Sequence, residues 1–199
     1  MTKVILLEQL KEFTQAATHD LLLPVAQQKE DKEPPADRAA AVYRMRIPDS
    51  RSATKKAPYI LHQIITNKDI QLPGQSPEAT AVVRTIFCVY HKDEQEGGLA
   101  LLNLMERLRI ALLEQVVIGK QFRLNLKAGL EGLVYQEDTA PYYAGEMVSM
   151  WDLPIIERKV PYGKEGYSNI RQPGPGADCD RLLLGAVHGL YGKRIAPEE

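Results

Sequence analysis

The chain has 199 residues, 44% of them hydrophobic, with 25 basic against 26 acidic side chains and a formal net charge of -1. That supports one modest core and one domain, or one domain with extensions. The balanced charge argues against a general nucleic-acid-binding surface, which needs a basic excess. The two cysteines, Cys88 and Cys179, make neither a disulfide framework nor a zinc spacing.

The first predicted element is a helix. Thr2 is placed to cap it, and Leu6, Leu10, Phe13 and Ala17 recur on one face. The apolar run Val4–Leu7 is short and is followed by Glu8, Lys11 and Glu12, which is not the pattern of a signal peptide. No stretch reaches the roughly 18 apolar residues of a membrane span. Pro24 limits the helix, and Gln27–Asp37, polar with two prolines, reads as a solvated linker.

Ala41–Ile47 predicts a strand in which Tyr43, Met45 and Ile47 alternate with Val42, Arg44 and Arg46. The two arginines read either as a solvated face or as a contact for an anion or partner. A polar turn, Asp49–Lys56, carries Arg51, Lys55 and Lys56. Tyr59–Ile65 is the next strand, and Thr66–Ala79, with Pro73-Gly74 and Pro77, reads as a loop. Thr80–Tyr90 is the longest strand. It is apolar on both faces, which places it centrally in a sheet.

The acidic turn His91–Gly98 leads into a helix expected over Gly98–Val117. Its stripe is Leu101, Met105, Leu108 and Leu112, widened by Leu104 and Ala111. Glu106 and Arg109 can pair on its exposed side, and Gly119 is placed to end it. It should cover one face of the sheet. Phe122, Leu124 and Leu126 suggest a strand, Leu130–Tyr135 a shorter one. The turn Ala140-Pro141-Tyr142-Tyr143 then enters a strand over Ala144–Leu153, with Met147, Ser149 and Trp151 opposing Val148, Met150 and Asp152.

The expected fold class is α+β: a mixed, mainly antiparallel sheet packed against two helices, with long polar loops and an irregular C-terminal extension. The expected division is residues 1–158 as the α/β domain and 159–199 as the extension. Val160–Gly176 holds three prolines and four glycines, and Asp178–Tyr191 is a candidate short helix with Leu182, Leu183, Ala186 and Leu190 on one side. A tail this small does not fold alone and is expected to dock on the main body or on a neighbouring subunit.

No motif carries catalysis. Cys88 lies on an apolar strand face near His91, and Cys179 sits between Asp178 and Asp180, a setting that raises a thiol's pKa. The histidines His19, His62, His91 and His188 are scattered without a second metal ligand at helical or turn spacing. Gly174-Pro175-Gly176 lacks the strand and lysine of a phosphate-cradling loop. No catalytic, cofactor-binding or metal residue is therefore expected. Tyr142, Tyr143 and Trp151 read as core or interface aromatics rather than as base-stacking platforms.

Two segments carry a family resemblance: the helix region Asp93–Leu113, containing LLNLMERLRIALL, and Pro141–Pro154, reading PYYAGEMVSMWDLP. With the element order over residues 1–158, the chain resembles the tail terminator, or tail completion, proteins of tailed bacteriophages and phage-tail-like particles. The resemblance implies a structural, non-enzymatic virion protein without cofactors, assembled in the host cytoplasm. Six copies, as a rule, close into a ring at the head-proximal end of the tail tube. The ring ends polymerisation of tube and sheath and offers the head-joining surface. Its partners would be itself, the tube protein, sheath and collar proteins, with DNA passing unbound through the lumen. Arg44, Arg46, Arg51, Lys55, Lys56, Tyr142, Tyr143 and Trp151 are the expected subunit or partner contacts. Three other readings stand beside it: a different neck component, a small α/β enzyme with a dispersed site, and a nucleic-acid module using the basic residues.

Overall fold

The computed structural model describes residues 2–27, 33, 35–48, 56–73, 75–135 and 140–155. These lie in a compact unit, Met1–Glu157. The expectations for 159–199, and for Arg51 and Lys55, fall outside the described residues.

Among the described residues, two helices and seven strands follow in the order α1 (Thr2–Thr18), β1 (Ala41–Arg44), β2 (Tyr59–Ile70), β3 (Glu78–Tyr90), α2 (Glu94–Gln115), β4 (Val117–Ile118), β5 (Phe122–Leu124), β6 (Leu130–Val134) and β7 (Tyr142–Asp152). The strands form one sheet ordered β1-β2-β3-β7-β5-β4, with β6 also paired to β7. Only β1 and β2 run parallel, and every other pair is antiparallel. The class is α+β, a mixed, mainly antiparallel sheet packed against two helices, as its residues predict.

Period two sorts the sheet into two faces. Ile60, Val83, Phe87, Val89, Met147 and Trp151 point to the helices and join Leu6, Leu10, Leu101, Leu104, Leu108 and Leu112 in the main core. On the opposite face a smaller cluster forms from Ile47, Ala57, Tyr59, Leu61 and Cys88, with Tyr43, Ile86, Tyr90 and Tyr142 packed at its margin. Central β3 pairs with β2 on one side and β7 on the other, which is why both its faces are apolar.

Several boundaries differ from the sequence reading, each for a local reason. β1 stops at Arg44 because Met45 takes a left-handed φ of 56°, so Ile47 leaves the strand and enters the smaller cluster. Thr66–Ile70, expected as loop, continues β2 past a register shift between Ile64 and Thr66. A long β2–β3 hairpin results. α2 begins four residues before Gly98 because Asp93 caps it: its Oδ1 accepts from the amides of Gln95 at 2.9 Å and Glu96 at 3.0 Å. Glu94 and Glu96 then sit at the positive end of the helix dipole. The helix ends at Gln115, with Val116 at φ 52°, not at Gly119, which instead turns the chain between β4 and β5. β5 stops at Leu124, and Leu126 is exposed in a turn. There Asn125 Oδ1 accepts from the amides of Lys127 and Ala128, both at 3.1 Å.

The buried side of α1 is Leu6, Leu7, Leu10, Thr14 and Thr18 rather than a wholly apolar stripe. Both hydroxyls are satisfied. Thr18 donates to the Thr14 carbonyl at 2.8 Å, and Thr14 Oγ1 bonds His62 Nε2 at 2.9 Å. His62, fully buried on β2, bonds Thr85 Oγ1 through Nδ1 at 3.0 Å. One imidazole thus ties α1 to two strands.

Gly97 sits where β7 meets α2. A Cβ there would lie 2.1 Å from Cε2 of Tyr143. Gly97→Ala should therefore destabilise the fold by about 1–3 kcal/mol through overpacking, although alanine normally gains about 1 kcal/mol over glycine inside a helix. In a Tyr143→Ala background the same change should become neutral or stabilising. Urea midpoints of the four proteins measure this; a loss of equal size in both backgrounds would exclude the ring contact as the cause.

Candidate interface surfaces

The expected contact residues do not form one site. Arg44 lies on the helix-facing side of β1, where its Nη1 donates to Glu8 Oε1 of α1 at 2.8 Å. Both side chains are exposed, so the pair adds little stability but occupies the cation. Arg46 follows the strand and is exposed. Lys56 Nζ donates to the Pro48 carbonyl. Beside it Arg38, which sequence reasoning did not single out, donates to the carbonyls of Lys56 at 2.7 Å and Ala57 at 3.4 Å. Arg44, Lys56 and Arg38 are thus engaged within the protomer, while Arg46 is exposed.

The aromatic expectations divide. Tyr142 is half-buried on the sheet face away from the helices, its ring 5.4 Å from that of Tyr90. Tyr143 points to the opposite face and packs against Gly97. Trp151 corrects the expectation. It is 0% exposed in the core, paired in register with Ala81 of β3 and Leu124 of β5. Its indole Nε1 donates to Ser149 Oγ at 3.0 Å. Strand period two put it on the same face as Met147 and Ser149, and that face turns to the helices, so it is closed to any partner.

Three surfaces that sequence reasoning missed are better suited to partners. The first is the helix-free sheet face. There Arg84 Nε donates to Glu146 Oε2 at 2.5 Å, Arg84 Nη2 donates to Tyr135 Oη at 2.9 Å, and Tyr135 Oη donates to the same Glu146 oxygen at 2.7 Å. The Tyr135 hydroxyl, followed by the guanidinium, holds the Glu146 carboxyl below its usual pKa, and burial chiefly raises that of Tyr135. This closed polar triad sits among half-exposed Val82, Ile86, Val148 and Met150, with Leu133 exposed nearby. The alternation of β3 and β7 shows which residues share a face, but a charged pair inside an apolar face is visible only once the strands are set in register.

The second comprises the sheet's unpaired margins. β1 pairs with β2 only as far as His62, so Ile64–Ile70 of β2 has no described strand on that side. β6 pairs only with β7, leaving the other edge of Leu130–Val134 without one. The exposed apolar residues Ile65, Leu133 and Val134 lie on these margins. Sheet edges normally carry charge or cover to prevent pairing with another chain.

The third is the outward side of α2, where Leu99, Leu102, Ile110 and Leu113 are exposed. Its sequence signal was present: apolar residues too numerous for a single buried stripe.

Cys88 is buried, which pushes its pKa up to about 11. Among the described residues no group of three or more His, Cys, Asp or Glu side chains is gathered, and no helix is long and apolar enough to cross a membrane.

No family model matches the chain, and no curated protein matches it. Among solved structures, one whose name states no function covers 78% of this chain and 95% of its own length, at 14% identity and a TM-score of 0.38.

Proposed function

We propose that the chain is a structural subunit that closes head to tail into a ring at the head-proximal end of a phage tail tube. By the family resemblance of Asp93–Leu113 and Pro141–Pro154, the ring is a hexamer that ends tube and sheath polymerisation and offers the surface to which the head is joined. The virion is its place, and its partners are its own copies, the tube protein, and sheath and collar proteins. The reading assigns it no reaction.

The observation that carries the reading is the pair of unpaired margins on β2 and β6. They are different surfaces of one subunit, which is what a heterologous joint requires: each copy presents one margin to the next, and rotation closes the circle. Strand addition satisfies backbone groups that a lone subunit leaves to water. The near-neutral total charge suits a conduit that passes DNA without holding it.

Particles assembled without this protein should carry overlong tails or tails without heads in negative stain; tails of regulated length joined to heads would refute the assignment. Leu133→Lys, at the β6 margin, should leave the monomer's circular dichroism intact and abolish rings in the electron microscope. Rings unaffected by that charge would show that β6 is not the joint.

A further inference from the structure

α2 carries two apolar stripes. The inner one is buried in the core. On the outer side, Leu99, Leu102, Glu106, Arg109 and Leu113 recur at alternating spacings of three and four, the seam of a helix that packs on another helix. Leu99 is 60% exposed, Leu102 52% and Leu113 38%, with Ile110 alongside at 45%. In the middle of the seam Arg109 donates to both Glu106 oxygens, at 2.8 and 2.6 Å. Neither flank closes it. Arg107 turns to α1, donating to the Ala17 carbonyl at 3.2 Å and pairing with Asp20, while Met105 turns to β6 and β7 at Gly132 and Gly145.

We propose that this seam binds the same seam of a second copy, antiparallel, about a two-fold axis. The spacing and the charges are self-complementary only in that direction. When Glu106 of one helix faces Arg109 of the other, the reciprocal pair forms by symmetry, and Leu102 falls opposite Leu113 on both sides. Leu99 then reaches the Val116–Val117 end of the second helix. A parallel alignment in register sets Glu106 against Glu106 and Arg109 against Arg109, which is repulsive. The central pairs fix register and direction, and the leucines supply the burial. At the amino-terminal end of the seam, Leu22, Leu23 and Pro24 wall a groove of about 590 Å³ beside Leu99 and Leu102. It lies where the antiparallel partner's Leu113 end arrives.

This pairing is separate from the strand-edge joint and does not rest on it: the same contact joins two free subunits or two rings. Light scattering of the full chain should show a concentration-dependent species of twice the 22.3 kDa protomer mass. Glu106→Arg and Arg109→Glu should each weaken it at least about tenfold, because each places like charges opposite one another twice. The double variant E106R/R109E should restore it. Leu133→Lys, which breaks the ring, should leave it unchanged. All three substitutions are at exposed or half-exposed positions, and circular dichroism checks the fold of each variant. A protein that stays a monomer, single reversals without effect, or a double variant that fails to recover while folded, each overturns the proposal.

Discussion

Replacing Trp151 by alanine is expected to cost about 3–5 kcal/mol of stability, the range for emptying a large aromatic site in a core. At roughly 2–4 °C per kcal/mol for a chain of this size, the melting temperature should fall by about 10 °C. The side chain is 0% exposed and is held between β3 and β5 by its register with Ala81 and Leu124. Its loss also removes the indole donor from Ser149 Oγ, whose remaining bond is to the Val83 carbonyl at 3.4 Å. Far-ultraviolet circular dichroism during heating measures the effect, since Trp151 is the chain's single tryptophan and its fluorescence goes with it. The same experiment separates core from interface. A partner-facing tryptophan would leave the monomer's melting nearly unchanged and weaken self-association, and that outcome would sink the core assignment.

Stability should also fall as the solution is acidified through the histidine range, and His62 is the cause. Burial lowers its pKa from 6.5 to about 3. The neutral ring has one donor and one acceptor nitrogen, which Thr14 and Thr85 take up at 2.9 and 3.0 Å. A depressed folded pKa means that the unfolded chain binds the proton first. The contribution is therefore fully present above pH 6.5 and is lost progressively as pH falls towards 3. At pH 5 the linkage amounts to roughly 2 kcal/mol. The Glu106 and Glu146 carboxyls, also held low, add to the loss only at more acid pH, because their ordinary value is 4.5. His62→Gln should be less stable than the parent at pH 7.5 but should lose the slope between pH 6.5 and 5. Urea midpoints measured across that interval decide it: parallel curves for the two proteins would clear His62 of the effect.

Both predictions concern side chains whose importance came from what surrounds them. Trp151 was visible in the sequence as a strand aromatic, and its face-mates Met147 and Ser149 were read correctly. Which face turned inward was not, because period two gives two faces without saying which one meets the helices. Both faces of β7 carry large apolar residues, so Glu146 and Asp152 on one of them point to the outer face without fixing it; the packing of α2 against β3 and β7 decided the matter. His62 read as one scattered histidine among four. Its partners lie 48 positions upstream and 23 downstream, so no local spacing announces them.

The amino-acid sequence by itself determined the element types, the amphipathic helices, the central place of β3 and the α+β class. These follow from periodicity, caps and turn residues, which act over a few positions. It also held the signals behind one boundary correction, the Asp93 cap, and behind one surface, the excess of leucines on α2. Tertiary structure alone decided the sheet order, the closure of the Arg84–Glu146–Tyr135 triad, the burial of Trp151 and the engagement of Arg44 and Lys56 within the protomer. Each of these joins residues far apart in the chain, and only the packed sheet brings them within hydrogen-bonding or van der Waals distance.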